Sequence, residues 1–130
     1  NDRKYLDTAK RIANYFIANI PESNLIPVDF RQPEDCGLED STAAAIGAGG
    51  RIEIAKQEKG RESRVYLQAA LRLLRTLASE RCNWNEEEDQ LLEKCTAAYH
   101  DTEHEFSIIY GDYYFLEALM KLAGKEVFLW

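Results

Sequence analysis

The sequence contains few of the residues from which most catalytic and metal centres are built. Among 130 residues there are two histidines, three cysteines and one methionine, and no two cysteines form a CxxC pair. A glycine-rich phosphate loop and a Gly-x-Ser-x-Gly segment, which carry phosphate binding and serine nucleophiles, are both missing from the sequence. The residues of this chain therefore form no complete, recognisable catalytic site, and they call for no cofactor and no metal ion.

Positive charge is also scarce. Lysine and arginine number 16 against 23 aspartates and glutamates, which gives a net charge of -7 and an isoelectric point near 4.9. Nucleic acids and anionic membrane surfaces bind to basic stripes, so both are excluded as partners. A small anionic substrate is not excluded, because one or two local arginines or histidines can bind a carboxylate.

The sequence has no long hydrophobic run and no sign of a secretory leader. No apolar stretch approaches the roughly 18 residues that a membrane-spanning helix needs. The first residues, Asn1 to Lys4, are charged and lead into an amphipathic segment. Cys36, Cys82 and Cys95 are odd in number and widely spaced, which is typical of a reducing compartment. We therefore expect a soluble, cytoplasmic protein.

The sequence is rich in the spacing of amphipathic helices. Apolar residues recur every three to four positions, which predicts an all-α segment with helices over residues 3–20, 41–57, 62–81 and 107–123. Residues 21–40 hold all three prolines and predict a long connection with a short extended piece at 26–30. Residues 82–100 are ambiguous, with a helical composition over 86–94 and an extended alternative from Cys95 onward. We treat residues 1–130 as a single helical segment.

Several local features of these helices carry expectations. Asp40 or Ser41 is expected to cap the second helix. Gly49 and Gly50 each cost about 1 kcal/mol in a helix interior, which close packing should offset. The last helix is apolar around most of its circumference, so burial on several sides is expected. The apolar stretch 127–130 must either dock or form an exposed patch.

Three groups of residues are candidates for chemistry, and each has a plainer interpretation. His100 and His104, with Asp101 and Glu103, have metal-ligand spacing but no third histidine or cysteine, so a substrate-side loop or a solvated polar cluster is favoured. Asp29 and Asp40 could serve in acid–base catalysis, although capping explains Asp40. The tyrosines of residues 110–114 either pack in the core or contact a ligand.

Three segments together resemble the C-terminal part of the unsaturated glucuronyl hydrolases, glycoside hydrolase family 88. The first is Tyr5-Leu6-Asp7-Thr8-Ala9-Lys10-Arg11-Ile12-Ala13 with Tyr15-Phe16. The second joins Pro27-Val28-Asp29-Phe30 to Asp40-Ser41-Thr42-Ala43-Ala44-Ala45-Ile46. The third and most specific is Ile109-Tyr110-Gly111-Asp112-Tyr113-Tyr114-Phe115-Leu116-Glu117-Ala118-Leu119. The resemblance implies a helix-hairpin segment similar to part of an (α/α)6 toroid.

The resemblance also implies a reaction. Family members remove an unsaturated uronic acid from lyase-generated oligosaccharides without a metal: an Asp protonates the C4=C5 vinyl ether, water adds at C5, and the hemiketal opens. The catalytic Asp motifs belong to the family's N-terminal half, and a Trp-x-Arg-Gly-Gln-Ala-Trp motif is expected just before Asn1, so no residue here is assigned a catalytic role. His100, His104 and Ser107 are the predicted substrate-binding residues.

The chain departs from the family pattern at three places. Val28 stands where the family usually has Trp, Arg51 puts a charge where Leu is expected, and the stretch from Tyr99 to Ser107 is short. We expect the chain alone to be inactive and to associate with itself through apolar helix faces. The oligosaccharide would be its partner if the full site were present. A non-enzymatic binding or structural module derived from the same fold is the alternative.

Overall fold

Four α-helices make up most of the chain. The computed structural model describes residues 3–125, in which α1 spans Arg3–Ala18, α2 Ser41–Gln57, α3 Gly60–Glu80 and α4 Ile109–Leu122. Within that range the only β pairings are isolated bridges, so the all-α prediction is confirmed. None of the helices in residues 3–125 is long and apolar enough to cross a membrane. The predicted docking of residues 127–130 lies outside the described residues.

The core is built around α2, whose small side chains let two other helices approach closely. Ala44, Ala45 and Ala48 are buried on this helix. Leu73 of α3 and Phe115 of α4 are fully buried against it in one cluster. Because short side chains on one helix leave room for large ones on its neighbours, the alanine-rich surface of α2 fixes where α3 and α4 pack.

The first helix lies at the edge of this core and is two residues shorter than predicted. It ends at Ala18, before Pro21, and Ile20 reaches the core from the connection that follows. Lys10 forms ion pairs with Glu58 (2.8 Å) and Glu62 (2.6 Å), and the Tyr66 hydroxyl donates a hydrogen bond to Asn14 Oδ1 (2.9 Å). These contacts tie α1 to the junction between α2 and α3.

The link between α2 and α3 is tighter than predicted. The third helix begins at Gly60 rather than at residue 62, so only two residues separate it from the end of α2, and Gly60 has a φ of +62°. An L-residue with a side chain rarely adopts this conformation, so glycine suits the position. The Ser63 hydroxyl donates a hydrogen bond to Ala55 O (2.7 Å), which satisfies a carbonyl near the end of α2. The two helices therefore form a hairpin.

Residues 81–108 contain no helix, so the helical option for residues 86–94 was wrong. Side chains there hold local turns instead: Asn83 Oδ1 accepts from Asn85 N (3.0 Å) and Asn85 Oδ1 from Glu87 N (3.2 Å). Such local bonds compete with helix formation. The extended alternative describes Cys95, which pairs with Phe106 in an isolated bridge.

The last helix is less buried than its composition suggested. Only Gly111, Phe115 and Ala118 are buried on α4, whereas Ile109 is 72% and Tyr110 60% exposed. The expectation of burial on several sides was therefore wrong for this chain, and one apolar face of α4 has no partner among residues 3–125. The expected close packing at the paired glycines exists at Gly49, where a Cβ would contact Ala118 of α4, but a Cβ at Gly50 would meet only open space.

The three cysteines are free thiols, and their surroundings predict an order of reactivity. Burial raises the pKa of Cys82 to about 11, with Asp112 and Glu93 adding to the effect, and burial also raises the pKa of Cys95. Because the thiolate is the nucleophile, Cys82 holds roughly a hundredfold less of it than a free cysteine at neutral pH. We expect iodoacetamide to label the partly exposed Cys36 at least tenfold faster than Cys82 or Cys95, as followed by mass spectrometry. Equal rates in the folded chain would contradict this, and denaturant should equalise them.

Candidate functional site

A cleft opens where the N-terminal ends of α2 and α4 meet the loop between α3 and α4. Its volume is about 400 Å³. The residues that line it are Asp40, Thr42, Ala43, Ile46, Thr96, Ala97, Ile108, Tyr110 and Tyr114. The cleft thus brings a carboxyl group, two threonine side chains and two phenol rings to one place, drawn from parts of the chain that are far apart in sequence.

Asp40 holds the rim of the cleft together. Its Oδ1 accepts hydrogen bonds from Thr42 N (2.9 Å) and from Thr96 N (3.1 Å), so it caps α2 and fastens the loop to it. Of the two predicted caps, Asp40 is the one that acts. Burial raises the pKa of the Asp40 carboxyl, while these backbone N–H donors oppose the shift by favouring the carboxylate.

A second set of hydrogen bonds fixes the loop behind the cleft. The Thr96 hydroxyl donates to Glu39 O (2.8 Å) and accepts from Glu105 N (3.1 Å). Glu39 N donates in turn to Glu105 Oε1 (3.0 Å), and the Glu39 carboxylate pairs with Arg81 at 2.7 Å. The Arg81 side chain is only 17% exposed in this ion pair. Glu39, just before α2, is thereby bonded to residues near both ends of the α3–α4 connection.

The first turn of α4 closes the inner wall of the site. The Asp112 carboxylate accepts hydrogen bonds from Leu92 N (2.7 Å) and Leu91 N (3.3 Å). Gly111 lies against Cys95, Leu92 and Thr42 so tightly that any added Cβ would overlap the Cys95 sulfur. The motif at residues 110–114 therefore has a structural role. Gly111 and Asp112 hold the α3–α4 loop in place, and Tyr110 and Tyr114 face the cleft.

The cleft can hold a polyhydroxylated ligand. Its two tyrosines present aromatic faces and hydroxyl groups, and the Asp40 carboxylate supplies oxygen atoms that could accept hydrogen bonds from the hydroxyl groups of a ligand. Tyr110 is well exposed, so its ring is free to contact a ligand. Among the described residues that line the cleft, none carries a positive charge. A carboxylate on the ligand would therefore have to pair with a cation from residues outside this lining.

The predicted substrate-binding residues lie on the α3–α4 connection, which also contributes Thr96 and Ile108 to the cleft. His104 Nε2 is 3.0 Å from Tyr99 O, and the His100 ring packs edge-on against the Tyr99 ring, 5.3 Å between centroids. Ser107 is partly buried next to Ile108. Within residues 3–125, the lining of the cleft includes none of the three predicted residues.

Other candidates are separated by the fold. Asp29 is exposed in a turn, where its Oδ1 accepts from Arg31 N (2.7 Å), and only Asp40 of the two aspartates lines the cleft. In the part of the chain that the structure describes, no group of three or more His, Cys, Asp or Glu could hold a metal ion. Sequence reasoning missed Thr96, because a single threonine in an irregular loop gives no periodic or motif signal.

Comparison with known proteins relates this arrangement to one group of enzymes, although no protein-family model matches the chain. The unsaturated glucuronyl hydrolase of Bacillus sp. (strain GL1) is 36% identical over 133 residues, which cover 96% of this chain and 34% of that enzyme. The chain spans about a third of the length of the curated relatives that it matches.

Solved structures agree with the sequence match. The unsaturated glucuronyl hydrolase from Streptococcus agalactiae superimposes with a TM-score of 0.86 at 28% identity, covering 99% of this chain and 36% of that one. A structure named for UGL and dGlcA-Glc-Rha-Glc gives a TM-score of 0.85 at 31% identity, with 93% and 33% covered. These neighbours are α/α toroids, so the predicted toroid segment is confirmed. In sequence and in fold, the chain is similar over nearly its whole length to the C-terminal part of the unsaturated glucuronyl hydrolases.

Proposed function

We propose that this chain forms one wall of a glycoside hydrolase site that removes unsaturated glucuronic acid from lyase-generated oligosaccharides. The observation that carries the proposal is the cleft at the N-terminal ends of α2 and α4, with Asp40, Tyr110 and Tyr114, in a segment similar to these enzymes. The chain's contribution is to bind sugar rings and hydroxyl groups. The general acid and base and the cation for the uronate carboxylate belong to the remainder of such a toroid.

His100, His104 and Ser107 enter this proposal as rim residues. They precede α4 on the loop that carries Thr96, whose backbone N–H bonds to the Asp40 carboxylate. An oligosaccharide longer than one sugar would extend past the cleft, and polar side chains beside it can hydrogen-bond to the outer sugars. We also propose a reducing, cytoplasmic compartment, supported by the three free thiols.

The 130-residue chain alone is expected to have no hydrolase activity. General acid–base catalysis requires a carboxyl group within hydrogen-bond reach of the reacting atom, and the carboxyl in the cleft, Asp40, is already held by two backbone N–H groups. The measurement is loss of the ultraviolet absorbance of the conjugated double bond in an unsaturated uronic-acid oligosaccharide. Turnover by the chain alone would contradict the expectation.

A chimera tests the positive half of the proposal. In it, this chain replaces the 133 matched residues of the Bacillus sp. (strain GL1) enzyme. We expect the chimera to release unsaturated uronic acid, and Tyr110→Ala within it to lower kcat/KM at least tenfold because an aromatic contact is removed. Exposed Trp84→Ala, on the loop that follows α3, is the matched control. A folded but inactive chimera would overturn the proposal, and sugar binding without turnover would favour a non-enzymatic binding module.

We propose, in addition, that the isolated chain associates with itself. Two apolar faces are exposed within residues 3–125: the outward face of α4, with Ile109, Leu116 and Met120, and the surface between α1 and α2. Contiguous apolar patches of this kind usually mark interaction sites. Solution mass that rises with protein concentration would support self-association.

A further inference from the structure

Four arginines form a stripe along the outer face of α3. All of them are exposed, on the side of the helix opposite its buried residues, and they are Arg61, Arg64, Arg72 and Arg75. With about 3.6 residues per turn and about 1.5 Å of rise per residue, the four positions lie within a sector of about 80° and over about 21 Å. The net charge of -7, which argued against nucleic acid, conceals this local positive charge. We call these four residues the α3 stripe.

The α3 stripe has no anion of its own. Among residues 3–125, none of its four arginines forms an ion pair with a carboxylate. Two pairs of them, Arg61 with Arg64 and Arg72 with Arg75, are three residues apart, where side chains on a helix are neighbours and like charges repel. An anion that binds from outside the chain would remove this repulsion.

One half of the stripe borders a groove between α1 and α3 with a volume of about 470 Å³. Arg72 and Arg75 line this groove together with Gln68. Ile17 of α1 and Val65 belong to its apolar lining, and Val65 is 44% exposed. The groove thus offers guanidinium groups to a carboxylate, an amide to hydroxyl groups and an apolar surface to C–H groups.

A uronic acid sugar carries the matching groups, namely one carboxylate, several hydroxyls and a ring face of C–H bonds. A chain of such sugars places its carboxylates at intervals along a line, as the α3 stripe places its guanidinium groups, and arginine binds carboxylates in bidentate fashion. Nucleic acid is a poorer match. Its phosphates follow each other at about 1.7 Å along a duplex, and a polymer of such charge density is repelled more strongly by a chain with 23 acidic residues.

We propose that the α3 stripe is a second carbohydrate-binding surface, which binds a chain of uronic acid sugars outside the cleft. Arg72 and Arg75 hold one carboxylate in the groove, and Arg61 and Arg64 bind carboxylates further along the chain. None of these arginines lines the cleft, so the surface acts by keeping the polyanion close to the protein. The choice of ligand rests on the proposed function, whose substrates come from uronic acid polymers, but binding at the stripe requires no hydrolase activity.

Fluorescence anisotropy of end-labelled hexagalacturonate, titrated with the 130-residue chain at low salt, tests the surface. The double variant Arg72→Gln, Arg75→Gln should raise the dissociation constant at least tenfold, because two charge-assisted hydrogen-bonding groups are lost. The matched control is Arg11→Gln, Arg31→Gln, which removes the same charge from two exposed arginines outside α3 and should change the constant less than twofold. Circular dichroism checks that each variant is folded.

Ligand length separates the groove from the rest of the stripe. The double variant Arg61→Gln, Arg64→Gln should weaken binding of hexagalacturonate at least fivefold and binding of digalacturonate less than twofold, because the shorter ligand occupies only the groove. Arg72→Lys, Arg75→Lys keeps the charge without the bidentate geometry, so it should restore part of the binding that the glutamine pair loses. Equal weakening of both ligands by the Arg61 and Arg64 variant would overturn the extended surface.

The remaining outcomes each contradict a stated claim. Absence of binding, or equal losses in the Arg72, Arg75 variant and its control, overturns the α3 stripe. A single-stranded DNA oligonucleotide of the same charge that binds more tightly than hexagalacturonate assigns the stripe to nucleic acid instead. Binding that is lost in Tyr110→Ala but not in the arginine variants belongs to the cleft, so the stripe fails while the proposed function stands. An inactive chimera with an intact arginine effect strikes the proposed function alone.

Discussion

Gly111→Ala is expected to destabilise the fold by about 3 kcal/mol, because the site has no room for a single methyl group. The added Cβ would overlap Cys95 Sγ and would lie 3.3 Å from both Leu92 Cδ2 and Thr42 Oγ1. Cys95 and Leu92 are completely buried and belong to the main core cluster, so neither can move aside cheaply. Thermal and urea unfolding should report the loss, with a fall in Tm on the order of 10 °C.

Two further variants isolate the cause. Gly50→Ala makes the same chemical change in a helix where the new Cβ meets nothing within 4 Å, so it should raise stability by about 0.5–1 kcal/mol. It is measured at high dilution, because Gly50 lies on the exposed apolar surface between α1 and α2. Cys95→Ala in the Gly111→Ala background removes the overlapping sulfur and should recover part of the loss. If the free energy of unfolding of Gly111→Ala lies within 0.5 kcal/mol of that of the parent chain, Gly111 is not closely packed against Cys95.

The helices could be predicted because their information is local. The bounds of α2 were right at both ends, since Asp40 supplies a cap and the alanine run supplies one buried face. For residues 86–94 the sequence left a helical option open, and the structure has local turns held by asparagine side chains just before and at its start. The prediction failed for the burial of α4. Apolar composition indicates that a helix face packs against a partner, but it does not show whether that partner belongs to the same chain.

The candidate site was less predictable, for a different physical reason. Three of its hydrogen bonds join residues more than fifty positions apart, including those from Thr96 to Asp40 and to Glu39, and no periodicity encodes such a pairing. The resemblance singled out the segment with Tyr110 and Tyr114, and both residues line the cleft. Substrate contact by His100, His104 and Ser107 stays a prediction. Arg51 was noticed as a charge on an apolar helix, and only the fold reveals its burial.

The sequence and the structure assign different roles to Asp112. From the sequence, an aspartate in the first turn of a helix is explained by the helix dipole, which is worth less than 1 kcal/mol at an exposed site. In the structure its two oxygens accept from the backbone N–H groups of Leu91 and Leu92, and Leu92 is fully buried. The carboxylate therefore anchors the α3–α4 loop rather than only favouring the start of α4.

Asp112→Ala is accordingly expected to cost about 3 kcal/mol of stability, because it strands two backbone donors beside the core. Asp112→Asn keeps one acceptor oxygen but turns an amide NH2 toward the other donor, so its cost should be at least half as large. Asp101→Asn, exposed on the same α3–α4 connection, is the matched control and should change stability by less than about 0.5 kcal/mol. Amide hydrogen exchange adds the local test, since Leu91 and Leu92 should lose protection before α2 and α3 do. If Asp112→Ala lowers stability by no more than the helix-dipole contribution and the Leu92 amide stays protected from exchange, burial of Leu92 alone holds the loop.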